Sequence, residues 1–452
     1  MKECNGYVKR EENDLNEILG YLENRIEYPK SIEKIILKTL LERKGINYVG
    51  DGYDLNNMFK CIPCEYVESW VETINKLYYE EEKVEYNGIE EAYLMYYLPI
   101  NTYKIHRLLR DLFLNDLILT DVEILDIGCG PGSASIGIIE FYRVLASSAK
   151  EIKFNIYIKL LDAEQSFIDI AESCIEKVKK ELPENLTVTL RESKQTKIQS
   201  NIKLEYMYDL IVISNLLNGS ELDDEFDTEC FFKEVITSTR DNGSILIIEP
   251  GESRQCERLK DIRNKVLCDF EEINIYSPCC DVWSIKDGYK CNCFSTAKLE
   301  WERPYVIIKL IEHGLFKSCN SIAFNYLILR KDGKTKYLKN TTNEEFSQIK
   351  DLKDNVGKYI NVKGVVRCVN RTLKYLFVSI CDGSDSMNES KHANLSISLS
   401  NAQIMKQYEY VMERMNVGEM IVARNVLCEK MWKYNEGYLL NIGKDSEVEF
   451  LY

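Results

Sequence analysis

Asp126 closes an apolar run that begins at Val122, and glycines follow at positions 128, 130 and 132. A carboxylate at the end of a strand suits an ammonium or another cationic group, and alternate glycines let a ligand approach backbone that side chains would block. The spacing is Gly-x-Gly-x-Gly, not the Gly-x-Gly-x-x-Gly of dinucleotide sites. No Lys-Ser or Lys-Thr follows as in a phosphate loop, so a pyrophosphate is not the expected guest. A second acid, Asp162, ends the next apolar run, residues 154–161. There it can accept from both ribose hydroxyls of a nucleoside, cap the helix expected over residues 165–180, or do both. Glu192, just after a third short run, is placed to meet the base. Ser214, Asn215 and Asn218 occupy a polar turn after a fourth apolar run, residues 208–213, and are candidates for ligand and substrate contacts.

Such residues need strand ends and tight turns to hold them. From residue 122 onward apolar runs alternate with helical periodicity, which predicts a mainly parallel, doubly wound α/β sheet with right-handed crossovers. The fifth strand falls within residues 243–251, the sixth over 272–276 and the seventh over 321–330, the last two forming an antiparallel pair. The Asp-x-Gly-x-Gly-x-Gly pattern resembles the first motif of class I methyltransferases. That resemblance implies S-adenosyl-L-methionine as cofactor, with Asp126, Gly128, Gly130, Gly132, Asp162 and Asn215 around it. After the fourth strand there is neither an Asn/Asp-Pro-Pro-Tyr/Phe segment nor a Pro-Cys pair, so no catalytic residue is named. Residues 1–118 carry helical periodicity and read as an N-terminal helical region. Its aromatic stretch, residues 92–102, either covers the cofactor pocket or forms the seam between helices and sheet.

A chain of 452 residues predicts two or three domains, and a formal charge of −15 argues against non-specific coating of nucleic acid while leaving room for a local basic patch. There is no apolar run of about eighteen residues and no basic-then-apolar leader, so a cytoplasmic protein with no membrane partner is expected. Sixteen cysteines in a reducing compartment point to metal ligands, buried thiols or catalytic groups before disulfides. Cys61 and Cys64 form a CxxC pair with no second pair nearby. Cys279, Cys280, Cys291 and Cys293, by contrast, gather in a polar, loop-like segment, and thiolates are costly to gather unless a cation neutralises them. A metal or iron-sulfur site follows. Spacing does not choose between zinc and a cluster, and buried thiols without metal are the plainer alternative.

The order of motifs carries a fuller resemblance. It runs from Tyr93 and Leu98-Pro99 through Leu125-Asp126 and the glycines to Tyr208-Asp209-Leu210, Ile248-Glu249-Pro250-Gly251, Arg263, Ser277-Pro278-Cys279, Cys293-Phe294-Ser295 and Phe324-Asn325-Tyr326-Leu327. Over roughly residues 90–385 the chain resembles the methyltransferase-like proteins associated with the small ribosomal subunit of bacteria and mitochondria. The resemblance implies RNA or the small ribosomal subunit as partner, and a 4Fe-4S cluster held by cysteines of the insert plus one from a later strand. Carried over by position, Cys279, Cys293 and Cys381 match, and Cys291 is taken as the remaining ligand. Cys280-Asp281 stands where the family has Pro-His, and the family's second cysteine is missing from its place, so zinc stays open.

Residues 335–352 are polar and read as a linker. Beyond them three strands, a helix over 402–414 and two strands match an OB-like β-barrel, a small fold that often binds oligonucleotides. Lys363, Arg367, Arg371, Lys374, Tyr375 and Phe377 offer charge and stacking surface there, or are plain solvated strand positions. The expected division is an N-terminal helical region over 1–118, a class I methyltransferase domain over 119–334 with the cysteine-rich insert 277–295, and an OB-like domain over 353–452. The expected function is methyl transfer to RNA. Alternatives are a catalytically silent assembly factor that keeps the cofactor fold and metal, and a methyltransferase for a small molecule or protein.

Overall fold

The computed structural model describes residues 1–9, 26–48, 54–79, 89–217, 226–278, 295–317, 320–336, 346–384, 393–413, 418–430 and 437–451. Asn218 and the insert cysteines Cys279, Cys280, Cys291 and Cys293 lie outside the described residues. Two compact units result, one of Met1–Leu259 with Thr296–Tyr326 and one of Lys260–Ser295 with Leu327–Tyr452.

The first unit is built on strands β1 (Asp121–Ile127), β2 (Phe154–Asp162), β3 (Leu186–Leu190), β4 (Tyr208–Ser214) and β5 (Thr239–Pro250). They lie in the order β3-β2-β1-β4-β5, and each neighbouring pair is parallel. The near-continuous apolar sequences of β1 and β4 follow from this position, since helices cover both faces of a parallel sheet. The crossover helices are Ser133–Ser148, Gln165–Val178 and Thr228–Thr237. A Cβ on Gly137 would lie 2.0 Å from the carbonyl oxygen of Thr102, so the first of these helices packs backbone to backbone against the chain that precedes β1. That preceding chain contains helices Lys30–Arg43, Cys64–Tyr79 and Lys104–Phe113, a π-helical turn at Tyr93–Tyr97, and a short hairpin, Lys2–Cys4 with Tyr7–Lys9, ahead of them.

The closing strands differ in detail from expectation. Strand β6 (Asn274–Ser277) pairs antiparallel with the end of β8 (Ser321–Arg330), Asn274 opposite Arg330, as expected. An unforeseen strand, β7 (Thr296–Glu302), pairs antiparallel with Ser321–Asn325 of β8 and, on its other side, parallel with Ile26–Glu27. Its outward residues are exposed and polar and only Trp301 is fully buried, so its sequence carries little of the apolar signal by which strands are read.

In the second unit β9 (Tyr359–Arg371), β10 (Tyr375–Cys381), β11 (Ala393–Ser398), β12 (Met420–Lys430) and β13 (Tyr438–Asn441) close in the order β9-β10-β11-β13-β12 and back to β9. Strand β14 (Glu447–Leu451) continues the β12 edge. The β11–β13 pair is parallel and the others are antiparallel. Helix Ala402–Glu413 falls between the third and fourth strands, as an OB-like barrel requires. Alternate residues fill the interior, among them Val378, Ile380, Leu395, Ile397, Ile421 and Leu440. Lys363, expected on an outward face, is instead buried, with its ammonium 5.2 Å from the centre of the Phe346 ring. No helix among the described residues is long and apolar enough to cross a membrane.

Candidate functional site

The glycine turn follows β1 at the carboxyl edge of the sheet. Gly128 and Cys129 donate to the carbonyl of Leu161 at 2.8 and 3.0 Å, and Gly132 donates to that of Cys129 at 2.9 Å. The three glycines adopt φ of +69°, +50° and +85°, a region that costs a side chain strain. What surrounds them differs. A Cβ on Gly132 would meet Ala171 Cβ at 2.9 Å, and one on Gly128 would meet Leu216 Cδ1 at 3.0 Å. One on Gly130 would meet nothing within 4 Å. Positions 128 and 132 therefore serve packing, and position 130 leaves an open cradle.

Asp126 is fully buried at the end of β1. Ser135 Oγ donates to its Oδ2 at 2.6 Å, while Oδ1 has no hydrogen-bond partner among the described residues. Burial pushes its carboxyl up to about 6, against the opposing hydrogen bonds from Ser135 and with a smaller push from Asp162. A buried carboxylate oxygen without a donor is expensive, and a cationic ligand would relieve it. Asp162 is not itself the cap of the following helix, whose N-cap position is Glu164, and it plays another part that its sequence position does not announce. Its Oδ2 accepts from Gly130 N at 2.8 Å and its Oδ1 from Glu164 N at 3.0 Å, so it ties the glycine turn to the start of helix Gln165–Val178. Burial raises its carboxyl and these backbone donors pull it back. Cys129, buried near both acids, has its thiol pushed well up by burial and by the two charges, which leaves it protonated.

The turn after β4 is anchored from β5. Asn215, at φ +55°, donates its backbone N–H to Ile248 O at 2.7 Å and its side-chain amide to Ser214 Oγ at 2.9 Å. Glu249, buried at the end of β5, accepts from Leu216 N and Leu217 N through Oε1 at 3.0 and 2.8 Å. Leu216 in turn lies against Gly128, so the β4 turn and the glycine turn share a contact. Lys104 is also buried. Burial lowers its ammonium to about 8 against the pull of Glu249. The sequence does not assign Glu249 this anchoring role, although an acid that ends an apolar strand is a signal for it. Nothing in the sequence distinguishes Lys104 from other lysines.

Asp126, Gly128, Gly130, Gly132 and Asp162 thus converge on one turn, with Asn215 on the neighbouring one. Glu192 is exposed on the segment after β3. Cys381 sits half-buried at the end of β10, opposite Val365. Among the described residues no group of three His, Cys, Asp or Glu is placed to hold a metal.

The parallel sheet with its antiparallel closing strand, the glycine turn after β1 and the acids ending β1 and β2 define a class I methyltransferase fold. A family described as "Methyltransferase domain" matches residues 118–309, and the chain is an enzyme of the methyltransferase class carrying an S-adenosylmethionine-dependent domain. The residues fit that cofactor, since the orphaned Asp126 oxygen and the Gly130 cradle are what an ammonium and a close-lying nucleoside require. No curated protein matches the chain. Solved structures similar to it include a candidate RNA methyltransferase from Pyrococcus horikoshii (9% identity, covering 59% of this chain and 98% of that one, TM-score 0.29). Others are an S-adenosylmethionine-dependent methyltransferase from Methanosarcina mazei (16%, 48% and 96%, 0.24) and a replication factor A related protein from Methanobacterium thermoautotrophicum (13%, 25% and 96%, 0.18). At such identities and TM-scores none of them bears on what this chain acts upon.

Proposed function

We propose that this protein transfers a methyl group from S-adenosylmethionine to RNA, with the barrel as its RNA-binding module. The observation that carries the reading is the outward face of β10 and its neighbours. Tyr375 is 41% exposed and its ring lies 5.7 Å from that of Phe377, two residues along the same strand. Asn370 and Ser398 stand opposite these rings on the adjoining strands, with Ser396 buried beside Phe377, and Arg371 and Lys374 are exposed at the hairpin end. Adjacent aromatic faces bordered by polar and cationic groups stack unpaired bases without demanding a sequence.

In the methyltransferase unit, Asp126 would accept from the cofactor's ammonium and Asp162 from its ribose hydroxyls, through oxygens that still have accepting capacity. The cofactor supplies an electrophilic methyl group. The chain supplies alignment, with the anchored Ser214–Asn215 turn presenting the acceptor in line. The motif resemblance narrows the substrate to ribosomal RNA of the small subunit. It also assigns Cys279, Cys291, Cys293 and Cys381 to a 4Fe-4S cluster or a zinc ion, an assignment that rests on the sequence.

The test is transfer of labelled methyl from the cofactor to total RNA, with RNA crosslinked in cells identifying the target. Label in RNA that falls at least several-fold in Tyr375→Ala/Phe377→Ala is expected. Label confined to protein or small molecules overturns the reading. For the metal, protein purified without oxygen should absorb at roughly 400 nm, the usual region of iron-sulfur charge transfer. A colourless protein with stoichiometric zinc rejects the cluster.

A further inference from the structure

Tyr93 and Tyr97 belong to no part of the site described so far. Both sit in the π-helical turn Tyr93–Tyr97, flanked by ordinary helix on each side. A single π turn inside a helix costs backbone geometry and tends to persist where it re-aims side chains for a purpose. Here Leu94, Met95 and Tyr96 are buried on the inner face, while Tyr93 and Tyr97 stay half-exposed with ring centres 4.5 Å apart.

Their position connects directly to the glycine turn. The Tyr93 ring lies 5.2 Å from Phe167, in the first turn of the helix that follows Asp162. One turn further along that helix is Ala171, whose Cβ is the atom that excludes any side chain at Gly132. Through Phe167, Tyr93 thus packs on the same helix whose next turn makes the contact that seats the cradle. Phe167 follows shortly after Asp162, the residue that holds Gly130. Tyrosine faces carry negative quadrupole and attract a cation set against them, most strongly where water is partly excluded.

We propose that Tyr93 and Tyr97 form the wall on which the cofactor's sulfonium rests, and that they make the site prefer the charged methyl donor over its neutral product. The inference rests on S-adenosylmethionine as cofactor and is independent of the RNA reading. Phe167 and Tyr96 hold the pair in place, Phe167 against Tyr93 and Tyr96 edge-on to Tyr97 at 5.0 Å. Selectivity of this kind has a consequence for turnover, because a site that favours the sulfonium releases S-adenosylhomocysteine once the methyl has gone.

The experiment is calorimetric titration of the full chain with S-adenosylmethionine and, separately, with S-adenosylhomocysteine. The variants are Tyr93→Leu, Tyr97→Leu and the conservative Tyr93→Phe and Tyr97→Phe, with thermal melting to check the fold. Each leucine variant should weaken the charged ligand about tenfold and the neutral one less than about threefold, and the phenylalanine variants should keep most of the preference. Equal losses for both ligands would show that the rings only stack or pack, and unchanged affinities would place them outside the site; either result overturns the proposal. A wild-type chain that binds neither ligand overturns the cofactor reading as well, so the two failures are told apart.

Discussion

Asp126 illustrates how a single residue can be costly to the fold and still be retained. Its carboxyl is pushed to about 6 in the folded chain, whereas an unfolded aspartate ionises near the ordinary 3.8. Between those values the native state binds more protons, so stability falls as pH rises from about 4 to 6 and the penalty is complete above that range. A rise of that size corresponds to about 3 kcal/mol. Asp126→Asn is accordingly expected to stabilise the ligand-free protein at pH 7 but not at pH 3.5, in urea unfolding followed at both values. The same variant should lose affinity for S-adenosylmethionine at pH 7. A variant that is less stable than wild type at pH 7 would mean that the hydrogen bonds from Ser135 outweigh the cost of burying the charge.

At the scale of elements, the strand–turn–helix around Gly128, Gly130 and Gly132 separates packing from binding. Gly132→Ala must place a methyl group 2.9 Å from Ala171 with the backbone at φ +85°, and is expected to cost roughly 2–4 kcal/mol from strain and overpacking together. Gly130→Ala meets no atom, so it should cost only about 1 kcal/mol of backbone strain yet lower cofactor affinity more than its effect on stability suggests. Melting curves and calorimetry on the two variants read the two effects apart. Comparable losses of affinity and stability at both positions would contradict this division. The β4 turn is organised the same way, with Glu249 holding two backbone N–H groups so that Asn215 can keep a left-handed conformation beside the site.

For the molecule as a whole, a formal charge of −15 and an RNA substrate are compatible only if binding relies on a few local cations and on stacking. Arg371 and Lys374 are the exposed cations at the hairpin end beside the Tyr375–Phe377 face. Two phosphate contacts give a slope of about −1.4 in log affinity against log salt for single strands. Fluorescence anisotropy with a short single-stranded RNA between low and physiological salt measures it. A slope several times steeper would place the RNA on a larger basic surface elsewhere.

The two periodicities and the punctuation between them carried most of the architecture. Apolar runs ending in Asp126 and Asp162, the glycines on alternate positions, and the later alternating strands interrupted by one helix are local patterns that backbone sterics and burial enforce. What the tertiary structure decided is whatever depends on neighbours distant in the chain. Strand β7 is half-exposed, is flanked on its outer side only by the short Ile26–Glu27 segment, and leaves almost no apolar signature. Lys363 alternates as an outward residue should and is buried nonetheless. Asp162 holds Gly130 only because parallel pairing brings the ends of β1 and β2 together, and Glu249 reaches Leu216 and Leu217 only because β4 and β5 lie side by side. Residue type and spacing could propose which groups meet a ligand; which of them first hold the site itself together was settled by packing.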